Sequence, residues 1–195
     1  MISYEYKNLY DLTSVISFDK FPWEEMSNGI ELSSKGNSRF YGYDHLKQDL
    51  GEYVPLTYPV ERYQSYFTLC EEELWKIHSN MINFPSLKSW IDRINIFKNT
   101  GRILIFLTEP NKSTPPHIDE DLSKAPKEYQ HRAEFIWITS PINGKNLIVD
   151  GQSTSYACWF NNYSVHSSIP QDIMTWSLRI DGKFTDEFKN ILIDM

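Results

Sequence analysis

Beyond residue 100 the chain repeats one pattern, in which short apolar or alternating runs are each closed by turn-forming residues. Residues 102–108 form an apolar, branched run, and residues 132–139 are rich in Phe, Ile and Trp. Residues 146–149 and 156–160 are shorter runs, bounded by the turn pairs Asn143-Gly144 and Asp150-Gly151. Residues 164–168 and 173–181 complete the set. Roughly seven or eight short strands at this spacing predict a mainly β fold, a sandwich or jelly-roll barrel.

The run at 173–181 is the most informative. Met174, Trp176, Leu178 and Ile180 share one face, and Thr175, Ser177, Arg179 and Asp181 share the other, because side chains alternate along a strand. A polar face of this kind is either a solvated exterior or the lining of a site for a charged ligand.

The first hundred residues follow a different pattern. Tyr63, Tyr66, Phe67, Cys70, Leu74, Ile77 and Met81 recur at helical intervals, with Glu71, Glu72 and Glu73 mostly opposite, which predicts a helix over 60–81. A second helix is predicted after Pro85, with Ser86 as N-cap and Leu87, Trp90, Ile91 and Ile94 as its apolar stripe. Before residue 51, strand and loop fragments surround a short helix expected at 44–50. The expected organisation is a single domain. Residues 1–100 give a mixed α/β N-terminal support region, 101–184 the β core, and 185–195 a C-terminal tail.

Composition narrows the function classes. The chain has 195 residues, 41 % hydrophobic and 15 % aromatic, enough for one sizeable core. No apolar run reaches membrane-span length, so no membrane partner is expected. Two cysteines, Cys70 and Cys158, have no bridge-like or metal-knuckle context, which points to reduced thiols and a cytoplasmic location. The net charge is −7 without a basic stripe, which argues against gripping a nucleic-acid backbone.

His117 and Asp119 are two residues apart, so on an extended segment both project to one side. Pro115-Pro116 stiffen the approach to them. Two imidazoles and a carboxylate on one side of an octahedron can hold Fe(II) and leave positions open. His-x-Asp alone has little specificity. The ordered set His117-x-Asp119, then His166, then Arg179 has more.

That set resembles the Fe(II)- and 2-oxoglutarate-dependent dioxygenases, whose core is a double-stranded β-helix. The stretch Arg102-Ile-Leu-Ile-Phe-Leu-Thr-Glu-Pro followed by Thr-Pro-Pro-His117-Ile-Asp119 looks like the strand-then-ligand opening of that core. The run from Arg132 through Ala-Glu-Phe-Ile-Trp-Ile is similar to the strand that follows, especially in the aspartyl/asparaginyl β-hydroxylase-like and prolyl-hydroxylase-like branches. The resemblance covers about residues 100–184, and N-terminal helices usually buttress such a barrel. It implies that His117, Asp119 and His166 ligate iron as the catalytic centre. It implies that Arg179 grips the distal carboxylate of 2-oxoglutarate, with Ser177 adding a hydroxyl and Arg132 a second carboxylate contact. The implied reaction is hydroxylation of an amino-acid side chain, free or in a peptide, consuming dioxygen and releasing succinate and carbon dioxide. The common family pattern has a serine two residues after the arginine, where this chain has Asp181. A second anion there suits a dicarboxylate only if it turns outward or pairs with a cation.

Alternatives stand beside this reading. His131 could replace His166 as third ligand, and Asp121 could replace Asp119, whereas Glu120 falls on the wrong strand face. His78 reads as a satisfied, partly buried histidine and His45 as a solvent-facing one. The cluster Phe40-Tyr41-Gly42-Tyr43 reads as core, and so do Trp137, Trp159 and Trp176. Asn161-Asn162-Tyr163 reads as a turn, from which Tyr163 could reach the iron pocket. Two rival functions are a cupin-like metalloenzyme with no use for 2-oxoglutarate and a non-catalytic jelly-roll binding or structural protein.

Overall fold

The computed structural model describes residues 7–36, 52–60, 69–119, 133–142, 144 and 147–195. The regular elements in chain order are β1 (Leu9–Asp11), α1 (Trp23–Leu32), β2 (Glu52–Pro55), β3 (Thr57–Pro59), β4 (Trp75–Ile77), α2 (Pro85–Ile94), β5 (Phe97–Thr108), β6 (Phe135–Thr139), β7 (Leu147–Val149), β8 (Gln152–Ser153), β9 (Ala157–Phe160), β10 (His166–Ser168), β11 (Thr175–Phe184) and α3 (Asp186–Asp194). The fold is mostly β, and among the described residues every strand pair is antiparallel. A six-stranded sheet runs β1-β9-β6-β11-β5-β2, a three-stranded sheet runs β10-β7-β8, and β3 pairs with β4.

β11 lies inside the large sheet, between β5 and β6, and both of its faces are covered. On one face Leu178 is in register with Ile105 and Ile138, and Ile180 with Ile103 and Ile136. Met26 and Ile30 of α1, and Leu87, Trp90 and Ile91 of α2, belong to the same apolar cluster. The Trp23 and Trp176 rings lie 6.3 Å apart, and Trp90 donates from its indole nitrogen to the Ser17 carbonyl at 3.1 Å. Each fully buried Leu or Ile contributes about 1.5–3 kcal/mol, so this helix-covered face carries much of the fold's stability. The opposite face holds Ser177, Arg179 and Asp181, which are no more than 3 % exposed. The solvated-exterior reading of that face is therefore excluded.

The strand expectations hold, with shifted ends. β5 begins at Phe97 rather than at 102, because its first residues pair with Gly182–Phe184 of a longer β11. The Asp150-Gly151 turn between β7 and β8 has positive φ at both residues (47° and 80°), the conformation a two-residue hairpin requires. Ser164 N–H donates to the Asn161 carbonyl, closing the expected turn there.

The helix expected over 60–81 is not present in its described part. Residues 72–74 and 79–83 form 3₁₀ turns with β4 between them. Pairing with Thr57–Pro59 overrides the helical spacing, and Ile77, a core position on a helix, is 56 % exposed. His78 is half-buried and satisfied as expected, its Nδ1 accepting from the Asn80 N–H at 3.1 Å. Ser86 is not the cap of α2: Pro85 opens that helix, and the Glu25 carboxylate of α1 accepts from the Ser86 and Leu87 amides at 3.0 and 2.9 Å. Residues 186–194, expected as a tail, form α3, capped by Thr185 and packed through Phe188 and Leu192. The helix expected at 44–50, the cluster 40–43, and His45 lie outside the described residues.

One close approach fixes the path of β5 near the large sheet's polar face. A Cβ on Gly101 would lie 2.0 Å from the Leu69 carbonyl oxygen, which accepts from the Arg102 amide at 2.8 Å. Gly101→Ala forces the two backbones apart and is expected to cost about 1–3 kcal/mol, read by urea denaturation. Glu25→Ala removes the shared cap of α2 and is expected to cost about 1 kcal/mol. In a thermal melt that appears as a fall of about 2–4 °C.

Candidate functional site

Residues 114–119 run antiparallel to 162–168, as an irregular strand beside β10. Thr114 N–H donates to Ser168 Oγ, Ser168 N–H to the Thr114 carbonyl, and Asp119 N–H to the Asn162 carbonyl. In the middle, His117 and His166 exchange both backbone bonds, N to O at 3.0 and 2.8 Å. Residues directly opposite in such a pair project to the same face, so the imidazoles are neighbours with ring centroids 4.2 Å apart. Asp119, two residues past His117, joins them on that face.

One donor atom from each of His117, Asp119 and His166 lies within 4.8 Å of the others. Asp119 Oδ1 is 3.3 Å from His166 Nε2 and 3.8 Å from His117 Nε2. Ligands about 2.1 Å from a common ion and at right angles stand roughly 3 Å apart, so a small inward adjustment suits one metal. Each ring's other nitrogen is already engaged: His117 Nδ1 with the Pro115 carbonyl at 2.8 Å, and His166 Nδ1 with the Ser164 carbonyl at 3.0 Å. Donation from Nδ1 fixes the tautomer whose Nε2 lone pair faces the metal position, the usual arrangement behind a metal-bound histidine. The side chains of Asp119 and His166 are 8 % and 6 % exposed and that of His117 is 27 % exposed, so the centre opens on the His117 side.

Arg179 crosses from the large sheet to this cluster. Its Nη1 donates to Asp119 Oδ2 at 2.8 Å and its Nε to Asp181 Oδ1 at 2.9 Å, while its guanidinium lies 3.8 Å from the centre of the Phe135 ring. Asp181 Oδ2 accepts from Arg102 Nε at 2.9 Å. Asp181 therefore turns inward and pairs with two cations, which meets the second of the conditions set by its departure from the family pattern. Burial opposes ionisation of Asp119, yet the His166 imidazole beside it and the Arg179 charge outweigh it and hold the carboxyl far below the usual range. Burial likewise works against the Arg179 cation, and the Asp181 and Asp119 charges more than restore it.

On this face Ser177 Oγ, Arg179 Nη2 and Trp137 Nε1 are buried and take no hydrogen bond among the described residues, and the same holds for the Nη2 atom of Arg102, whose Nε bonds Asp181. The first three belong together, because Trp137 is in register with Arg179 and Ser177 is two residues before it. A buried polar group left unpaired costs about 1–3 kcal/mol, and all three can donate, so the set suits an acceptor-rich anion. Trp137 packs in the core as expected, 6 % exposed, with its indole nitrogen left unpaired. Its ring completes an aromatic wall, 5.2 Å from Phe106 and 6.1 Å from Phe160, and Phe160 lies 4.8 Å from His166.

The structure thus brings together His117, Asp119, His166, Ser177 and Arg179. Arg132, His131, Glu120 and Asp121 lie outside the described residues. Two participants were not singled out from the sequence as site residues: Arg102, taken only as the start of a strand, and Trp137, taken as packing. Arg102 had a signal, since a charge opening the run Ile-Leu-Ile-Phe-Leu has to find a partner when the strand is buried. The indole of Trp137 offered none.

No family model matches the chain, and no curated protein matches it. Among solved structures, an oxidoreductase of the 2OG-Fe(II) oxygenase family from Burkholderia pseudomallei is similar at 10 % identity and TM-score 0.49, covering 84 % of this chain and 78 % of that one. A viral collagen prolyl hydroxylase from Paramecium Bursaria Chlorella virus-1, in its 2OG complex, is similar at 10 % identity and TM-score 0.46, covering 90 % and 94 %. A prolyl-4-hydroxylase from Pseudomonas putida is similar at 14 % identity and TM-score 0.33, covering 53 % of this chain and 64 % of that one. At such identities, function has to be read from the side chains. Mn(II) or anaerobic Fe(II) titration is expected to give one bound ion per chain, with uptake lost in His117→Ala and in His166→Ala.

Proposed function

We propose that this chain is an Fe(II)- and 2-oxoglutarate-dependent dioxygenase that hydroxylates an amino-acid side chain, free or within a peptide. The carrying observation is the union of two features: three metal-type donors on one face, and beside them a buried arginine and serine with unused hydrogen-bonding atoms. The pairing of the segment around His117 with β10, opposite the large sheet, supports a double-stranded β-helix, with residues 101–184 as the core of a single domain.

His117, Asp119 and His166 would hold the iron, each histidine through Nε2. When bound, iron and 2-oxoglutarate supply with dioxygen the oxidation that turns a substrate C–H into C–OH, releasing succinate and carbon dioxide. The protein's own part is to bind, orient and exclude water. Arg179 Nη2 and Ser177 Oγ would grip the distal carboxylate of 2-oxoglutarate, with the Trp137 indole N–H facing the same region. Charge fits this role. Among the described residues, Arg102 and Arg179 are two cations bonded to the one carboxylate of Asp181, a balance that favours a further carboxylate once Asp119 serves the metal. Phe106, Trp137 and Phe160 would keep bulk water from the metal, and the more exposed flank at His117 is where a substrate would approach.

Succinate release from 2-oxoglutarate, measured with Fe(II) over a panel of amino acids and peptides, tests this reading. Ser177→Ala is expected to raise the half-saturating 2-oxoglutarate concentration about tenfold, the loss of one charge-assisted bond of roughly 1.5 kcal/mol. Arg179→Gln is expected to raise it more than about a hundredfold. Metal-dependent turnover that proceeds equally well without 2-oxoglutarate would instead favour a cupin-like metalloenzyme.

A further inference from the structure

Two buried charges at this site are bonded, among the described residues, to groups other than the three metal-type donors. Arg102 and Asp181 are each 1 % exposed and bonded to one another, and Asp181 also accepts from Arg179 Nε. From there the connection continues through Arg179 Nη1 to Asp119 Oδ2. The result is an unbroken buried chain of alternating charge, Arg102–Asp181–Arg179–Asp119, crossing from β5 and β11 of the large sheet to the segment that carries the metal-type donors.

The fold by itself does not call for such a chain. Each buried ion costs several kcal/mol in lost hydration, and replacing buried ion pairs with apolar residues of similar size is often neutral or stabilising. What the chain does provide is orientation. Arg179 is held at Nε by a carboxylate, at Nη1 by a second carboxylate, and across its face by the Phe135 ring. With Oδ2 of Asp119 held by that guanidinium, Oδ1 is turned toward both imidazoles, the rotation a shared ion requires. Arg102 matters because Asp119 and Asp181 would otherwise be two anions sharing one cation.

We propose that Arg102 and Asp181 are positioning residues that act through Arg179 to set the rotation of Asp119, and so the affinity of the centre for its divalent metal. This rests on the metal-centre reading above. It assigns Arg179 a task besides co-substrate binding, one that operates before any co-substrate arrives. Groups that orient a metal ligand from outside the coordination sphere typically change metal affinity by about 10–100-fold, and that is the size expected here.

The test is Mn(II) binding by calorimetry or electron paramagnetic resonance on the full chain without 2-oxoglutarate, with thermal unfolding recorded in parallel. Asp181→Asn is expected to weaken Mn(II) binding about 10–100-fold. Because that variant leaves two buried cations without their shared anion, it could unfold. The double variant Arg102→Gln/Asp181→Asn removes one charge of each sign and keeps groups able to hydrogen-bond. It is expected to melt near the wild-type temperature while still binding Mn(II) about 10–100-fold more weakly. A structural role alone would move melting and metal affinity together. A folded double variant with wild-type Mn(II) affinity overturns the positioning role and leaves the metal centre standing. Wild-type protein that takes up no divalent metal overturns the metal centre, and the positioning role with it.

Discussion

The contact between Asp119 and Arg179 joins two parts of the molecule that the backbone keeps separate. One partner comes from the irregular strand beside β10, the other from the interior of the large sheet. Charge in such a place is tolerated only when every group has a partner, and this requirement shapes the surroundings. It explains why Asp181 turns inward and why Arg102 stands in β5 directly before the apolar run at 103–107. It also explains why the aromatic ring of Phe135 lies under the guanidinium. The opposite face of the same strands can then be purely apolar, so helix packing and site chemistry are divided between the two sides of one sheet.

The sequence pattern captured that division before the pairing partners were known. Alternation at 173–181 sorted Leu178 and Ile180 from Ser177 and Arg179 because strand geometry leaves no other arrangement, and the i, i+2 spacing of His117 and Asp119 works the same way. The hydrogen-bonded pairing of His117 with His166 could not be read, since register depends on contacts between segments far apart in the chain. Helix α1 escaped notice for a local reason. Pro22, Asn28 and Gly29 are poor helix signals, yet Gly29 is where the helix meets Phe84, whose ring would lie 2.4 Å from a Cβ at that position.

The stretch 72–81 erred the other way. Its helical spacing was real but unused, because β3 offered pairing partners and Ile77 could be left to solvent. Asp181 was legible as a departure from the family pattern but not as a solution. Its meaning depends on Arg102, which lies on a neighbouring strand and carries no motif of its own.

The Arg102–Asp181 pair sits between two glycines. Gly101 precedes the cation, and Gly182 follows the anion at a register shift in which a Cβ would come within 2.5 Å of the Asn99 carbonyl oxygen. Neither glycine bears charge, yet each clears space for the backbone that delivers one. An alanine at either place would push aside the strand that carries the neighbouring charge, so the buried ion pair depends on two residues that make no bond to it.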